Sequence, residues 1–268
     1  MAEQRITFAQ SVPENYERYL GPMFFDPYAQ DLAARLQVKD GIRVLEVACG
    51  TGIVTRRLRE RMPTGSKLVA TDLSEPMLAF ARQKFGPDFD VEWQQADAVA
   101  LPFADGSFDA VVCQFGLMFM PDKAAAVREA HRVLTPGGQF LCNVWDSLAN
   151  NDFAQVAHTT AISFFESDPP RFYETPFGFH DVKMLQALLT DAGFQNVTVR
   201  PVDLPCVSPS ASDAAKGLVG GTPLTIQITE RNGDQEAITA AVADAVRTRF
   251  GNDPARSRMR ALICAGTR

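Results

Sequence analysis

Three carboxylates recur at one kind of position in this sequence: Glu46 in VLEVACGTG (44–52), Asp72 in KLVATD (67–72) and Asp97 in VEWQQAD (91–97). Each sits at or near the end of a short β-rich run, and the first leads straight into a small-residue loop, Ala48-Cys49-Gly50-Thr51-Gly52. Such a loop lets a ligand come close to the backbone. A dinucleotide fingerprint G-x-G-x-x-G is not met, because Ala48 stands at the first glycine and no third glycine follows at the required spacing. Three carboxylates would also repel a pyrophosphate. They suit a ligand that brings a positive sulfonium and ammonium, ribose hydroxyls and an adenine amine. One charge pair at ~4 Å and an effective dielectric near 20 is worth roughly 4 kcal/mol before desolvation is subtracted, so the sign of the rim sorts ligands.

The elements that must position these groups alternate along the chain. Strands are expected at 42–47, 67–72, 91–97, 108–115 and 139–146, with helices between them, and the pattern is that of a doubly wound α/β sheet. In such a sheet ligands bind outside the carboxyl ends of the strands, where strand order reverses. Asp26 is expected to cap a helix with Pro27 in its first turn, and Ser74 to cap another that carries Pro76. A Pro-Gly-Gly turn at 136–138 precedes the fifth strand. Beyond an aromatic-rich stretch at 147–180, a helix ends at Gly193, a sixth strand covers 196–204 and a seventh 258–267. The residues from about 205 to 256 read as a mostly helical insertion over the sheet edge. The chain thus divides into an N-terminal helical lid (1–40), a cofactor-binding core (41–147), a substrate-side segment with the sixth strand (148–203), a helical cover (204–257) and the last strand (258–268).

Composition narrows the class further. The 268 residues are 46% hydrophobic and 22% charged, as in ordinary globular proteins, and suffice for one substantial domain. A net charge of −6 without a run of Lys and Arg lacks the electrostatic footprint of a nucleic-acid binder. No apolar run at the N-terminus reads as a signal peptide or membrane span, so a cytoplasmic location is expected. The five cysteines (Cys49, Cys113, Cys142, Cys206, Cys264) contain no C-x-x-C pair and read as small core residues. The three histidines (His131, His158, His180) lack metal-ligand spacing, so no metal site is expected. His131 reads as a solvated residue of an amphipathic helix.

VLEVACGTG, ATDLSEPML, QADAVALPFADGSFDAVVCQFGLMFMPD and REAHRVLTPGGQFLCNVW together resemble the class I S-adenosylmethionine-dependent methyltransferases. Within them the chain is most similar to the small-molecule branch of methyltransferase type 11 and quinone-biosynthesis C-methyltransferase-like enzymes. The resemblance spans residues 15–147 and, more weakly, 180–203. It implies a seven-stranded, mostly parallel Rossmann-like sheet whose last strand alone runs antiparallel, with the insertion before that strand covering the substrate. It further implies S-adenosylmethionine as cofactor. By position, Glu46 with Ala48, Cys49, Gly50 and Gly52 would hold its methionine portion, Asp72 its ribose hydroxyls, with Leu73 and Met77 beside the adenosine. Asp97 would accept from the adenine amine while the Ala98 backbone meets the ring. Gln114 and Phe115 would face both the methionine portion and the substrate, and Tyr16 and Tyr19 would belong to a lid. The departures are Ala48 for the usual glycine and Cys49 beside it.

Methyl transfer from a sulfonium disperses charge, so alignment and exclusion of water are the main levers, the former worth up to ~7–11 kcal/mol. If the acceptor needs a base, Gln114, His180 and Tyr19 are the polar candidates, although His180 also reads as a loop or cap histidine. The aromatic-rich stretch at 147–180, expected to cover the site together with the N-terminal segment and residues 205–256, offers Phe164, Phe165, Phe172, Tyr173, Phe177 and Phe179, which suits a small apolar or aromatic acceptor. Two other classes stay open at this point. One is a non-catalytic protein that binds S-adenosylmethionine or S-adenosylhomocysteine; the other is an NAD-dependent oxidoreductase. Oligomeric state is open.

Overall fold

The computed structural model describes residues 12–268. Among these, strands β1 (Arg43–Val47), β2 (Lys67–Asp72), β3 (Glu92–Gln95), β4 (Phe108–Gln114), β5 (Leu134–Trp145), β6 (Gln195–Ser208) and β7 (Ala255–Thr267) form one sheet in the order β3-β2-β1-β4-β5-β7-β6. β1 to β5 are parallel, and β7 runs antiparallel to both neighbours. The fold is the class I Rossmann-like α/β arrangement. Its central strands are buried on both faces, as a sheet with helices on either side requires. Val44, Val112, Leu141 and Trp145 pack on one face against Tyr28, Leu32 and Leu58, while Leu45, Val111 and Phe140 pack on the other against Val127, Leu185 and Leu189.

The helices are α1 (Val12–Asn15), α2 (Asp26–Arg35), α3 (Ile53–Arg61), α4 (Glu75–Phe85), α5 (Lys123–Val133), α6 (Asp152–Ile162), α7 (Val182–Asp191), α8 (Ala211–Gly220), α9 (Leu224–Glu230) and α10 (Gln235–Phe250). Carboxylates start three of them: Asp122, Asp181 and Asp234 each accept a backbone N–H three residues on. Ser74 holds the expected cap position of α4, but its side chain makes no capping bond; the Ser74 N–H instead donates to Asp72 Oδ1 at 2.8 Å.

Several element ends differ from expectation. Asp26 begins α2 with Pro27 in its first turn but does not cap it: α1 continues through a π-helical segment, Tyr16–Phe25, into α2, and the Asp26 N–H donates to the Gly21 carbonyl. Its carboxylate is taken by Arg57, in two contacts of 2.8 Å, and by Gln30. β3 stops at Gln95, leaving Asp97 in the following turn, and β5 begins at Leu134, so Pro136-Gly137-Gly138 lies within a strand whose register against β4 shifts. β6 and β7 pair from Gln195↔Thr267 to Ser208↔Ala255, which shortens the insertion between the two strands to residues 209–254. His131 is half-buried rather than solvated, edge-on to Phe194 at 5.0 Å. All five cysteines are buried thiols.

The insertion packs against the N-terminal segment. α8 packs against the π-helical segment, against α10 and against α6, and the Tyr28 hydroxyl ties α2 to the β6–β7 pair through the Val202 (2.8 Å) and Met259 (3.1 Å) carbonyls. Among the described residues no helix is long and apolar enough to cross a membrane.

Candidate active site

Strand order reverses between β1 and β4, and the carboxyl ends of these strands border a cavity. The loop after β1 needs left-handed backbone three times, at Ala48 (φ 57°), Gly50 (φ 56°) and Gly52 (φ 78°). Gly52 has a second reason to be glycine: a Cβ there would lie 2.6 Å from the Phe85 ring. Ala48, the departure from the usual glycine, is accommodated from the other side. A Cβ on Gly116, just past β4, would sit 2.5 Å from the Ala48 methyl. The alanine is therefore compensated by a glycine in the turn after a different strand.

Asp72 closes the loop from β2. Its Oδ2 accepts the Gly50 N–H and its Oδ1 the Ser74 N–H, both at 2.8 Å. Burial raises its pKa, and the backbone donors Ser74, Gly50 and Leu73 pull it back. Glu46 is 1% exposed and its Oε2 has no hydrogen-bond partner. Burial pushes this carboxyl up to about 8, Asp72 adds to the shift, and Thr55 and Lys84 oppose it. Asp97 Oδ1 accepts the Val99 N–H at 3.1 Å in the turn after β3, with Ala98 half-buried beside it. Leu73 is exposed and Met77 buried on α4.

On the β4 side, Gln114 Nε2 donates to the Phe25 carbonyl at 3.1 Å, while Gln114 Oε1 is buried without a partner. Phe115 has φ 50° and its ring stacks on Trp145 at 3.8 Å. The cavity measures about 30 Å³; Tyr16, Phe25, Glu46, Ala48, Cys49, Gly50, Thr51, Ile53, Val54 and Gln114 line it. Tyr16 stacks on Phe25 at 4.5 Å, and burial raises its hydroxyl pKa well beyond the usual range.

The structure thus gathers Tyr16, Glu46, Ala48, Cys49, Gly50 and Gln114 around one cavity, with Asp72 bonded to its loop. It places Tyr19 elsewhere, over Gly217 of α8 with the Arg18 and Lys216 cations against its ring at 5.2 and 5.8 Å. His180 is exposed, its Nδ1 3.9 Å from Asp146 Oδ1 beyond β5. Of the aromatics in the 147–180 stretch, Phe172, Tyr173 and Phe177 are core, and Phe164 is exposed.

Sequence reasoning missed Glu17. Its carboxylate accepts from the Thr51 hydroxyl at 2.6 Å and from Lys84 at 2.8 Å, which ties the N-terminal segment to the glycine loop and to α4. The contacts join residues 34 and 67 positions apart, and no local pattern announces such a meeting.

The methyltransferase domain family matches residues 45–142, which hold Glu46, the loop, Asp72, Asp97 and Gln114. A demethylmenaquinone methyltransferase from Staphylococcus epidermidis is 31% identical over 215 residues, covering 74% of this chain and 88% of the relative. The chain belongs to the methyltransferase family. A ubiquinone/menaquinone biosynthesis C-methyltransferase from Ectopseudomonas mendocina is 34% identical to this methyltransferase over 174 residues, 60% of this chain and 68% of that one. The fold is also that of a Haemonchus contortus phosphoethanolamine N-methyltransferase 2 solved with S-adenosyl-L-methionine, with a TM-score of 0.60 at 16% identity, over 96% of this chain and 56% of that one.

The methyltransferase uses S-adenosylmethionine, and its own atoms fit that cofactor. Glu46 Oε2 and Gln114 Oε1 are buried acceptors without partners on two residues that line one cavity. They complement a ligand that carries ammonium and sulfonium charge.

Proposed function

We propose that this methyltransferase alkylates a ring carbon of a small, apolar, quinol-like acceptor. The observation that carries the reading is the chemistry around Gln114. Phe25 lines the cavity and Phe115, Tyr28 and Trp145 stack behind it, while the titratable groups of the lining, Tyr16, Glu46 and Cys49, all have pKa values raised by burial. Tyr16 and Cys49 are held protonated at neutral pH, and Glu46, the carboxylate of the lining, is committed to the cofactor's ammonium in this reading, so an electron-rich ring that brings its own nucleophilicity fits best. The names of the quinone-biosynthesis relatives support the same class.

In this reading Glu46 and Gln114 take the ammonium end of the cofactor, Asp72 the ribose, and Asp97 with the Ala98 backbone the adenine, flanked by Leu73 and Met77. The cofactor supplies an electrophilic methyl group on sulfur. Gln114 and Phe115 orient the acceptor, and the aromatic wall excludes water. The segment that carries Tyr16 and Phe25 acts as a lid: about 30 Å³ is a tenth of the ~300 Å³ at the lower end of ligand pockets, so ligand admission displaces it. We place the reaction in the cytoplasm, on a small molecule rather than nucleic acid.

The test is transfer of a labelled methyl group to a panel of quinols, phenols and amines. Turnover of quinols with amines inert is expected. Turnover confined to amines or to hydrophilic acceptors would overturn the acceptor class, and tight cofactor binding with no methyl consumed on any acceptor would make the chain a binding protein.

A further inference from the structure

Asn143 is fully buried in β5, within an otherwise apolar run from Phe140 to Trp145. It is the register partner of Gln114 in β4. Side chains at paired positions of neighbouring strands share a face, so Asn143 stands beside Gln114 on the face that carries Leu141 and Trp145. One end of its carboxamide is used: Oδ1 accepts the Phe115 N–H at 3.0 Å, and the Asn143 carbonyl accepts the same N–H at 3.1 Å. The other end is not, since Nδ2 is buried without a partner. A backbone N–H can only donate, which fixes the orientation of the amide.

A stability role explains this residue poorly. A buried donor without a partner carries its full desolvation penalty, and an apolar residue of similar volume would avoid it. The retained oxygen instead acts where the backbone is strained. Phe115 is not glycine yet has φ 50°, and its left-handed turn comes directly after Gln114 at the cavity wall. The same turn brings Gly116 against the Ala48 methyl of the glycine loop and lays the Phe115 ring on Trp145. One side-chain oxygen therefore pins a turn that touches both sides of the site.

We propose that Asn143 is a positioning residue for methyl transfer, whose Oδ1 holds the Phe115 turn and through it sets Gln114 and the glycine loop for the cofactor. The inference rests on the cofactor-side role given to Gln114 above.

The test compares Asn143→Leu, Asn143→Ala and Asn143→Asp with wild type in three readouts: Tm, the Kd for S-adenosylhomocysteine by calorimetry, and Trp145 fluorescence in a Trp93→Phe background. Asn143→Leu removes the acceptor and the unpaired donor together. Its Tm is expected within about 2 °C of wild type or above it, while the Kd rises about ten-fold or more and Trp145 emission shifts. Asn143→Asp keeps an acceptor oxygen and should stay within about three-fold of wild-type affinity. Asn143→Ala gives the same comparison if the leucine variant does not fold. Wild-type affinity in Asn143→Leu, or an affinity loss that merely follows Tm across all variants, overturns the proposal. Wild type that fails to bind S-adenosylhomocysteine would instead overturn the cofactor-side reading on which it rests.

Discussion

Glu17 Oε2 accepts a 2.6 Å hydrogen bond from the hydroxyl of Thr51, so the N-terminal segment is fastened to the loop it covers. Lys84 completes the fastening at 2.8 Å, with both charged side chains largely shielded from water. Charge-assisted bonds in such places are worth about 1.5–3 kcal/mol. Glu17→Gln and Lys84→Met are each expected to speed release of S-adenosylhomocysteine about ten-fold in stopped-flow measurements. The double variant should be little worse than either, since both act on one contact. Unchanged release rates would separate this contact from lid motion.

Glu46 makes stability and cofactor binding respond to pH in opposite directions. Its carboxyl lies near 8 against an ordinary 4.5, so between those values the folded protein holds a proton that the unfolded chain has lost. Stability then falls as pH rises from about 4.5 to about 8, by up to ~5 kcal/mol, and Glu46→Gln should flatten the curve in thermal scans. A cationic ligand favours the ionised carboxylate over the neutral form, with Asp72 opposing and Lys84 assisting. S-adenosylmethionine binding at pH 7 should therefore expel about one proton, read as a buffer-dependent calorimetric enthalpy that Glu46→Gln removes.

Gly116→Ala should disturb the site from outside the glycine loop. Its Cβ would meet the Ala48 methyl at 2.5 Å and Cys113 Sγ at 3.0 Å, an overpacking of about 1–3 kcal/mol. Ala48→Gly, which removes one of the colliding methyls at a positive-φ position, should recover most of the lost Tm and cofactor affinity. A cycle in which the two changes simply add would show that loop and turn do not communicate.

Asp72→Ala removes the acceptor of the Gly50 and Ser74 N–H groups. Both adenosyl ligands should bind at least about ten-fold more weakly, with NAD silent in parallel titrations of variant and wild type. NAD binding by wild type would contradict the carboxylate rim.

Much of this site was legible because its carboxylates fall where an apolar run stops, and a run stop is a local signal. Asp72 ends its strand and Glu46 lies one residue before the end of its own, in the sequence and in the structure. Misreadings arose where a local signal had a second physical cause. Asp26-Pro27 has the chemistry of a helix start, yet its carboxylate serves Arg57 inside a continuing helix. Pro201 and Pro205 punctuate β6 without breaking it, since an edge strand has N–H groups to spare. The fastening of Glu17 and the pairing of Asn143 with Phe115 depend on which distant elements meet. Nothing in the spacing of single residues carries that information.

The cover leaves the sheet at Ser208 and returns at Ala255, and these two residues are partners in the β6–β7 ladder. Residues 209–254 therefore enter and leave through one doorway, and the strand order around it does not depend on what they contain. If the proposed site roles hold, insertions, deletions or exchange there should alter what packs on the N-terminal segment while leaving the strand ends that carry Glu46, Asp72 and Gln114 in place. The whole excursion can therefore be exchanged as one cassette between two paired residues without rerouting the strands on either side.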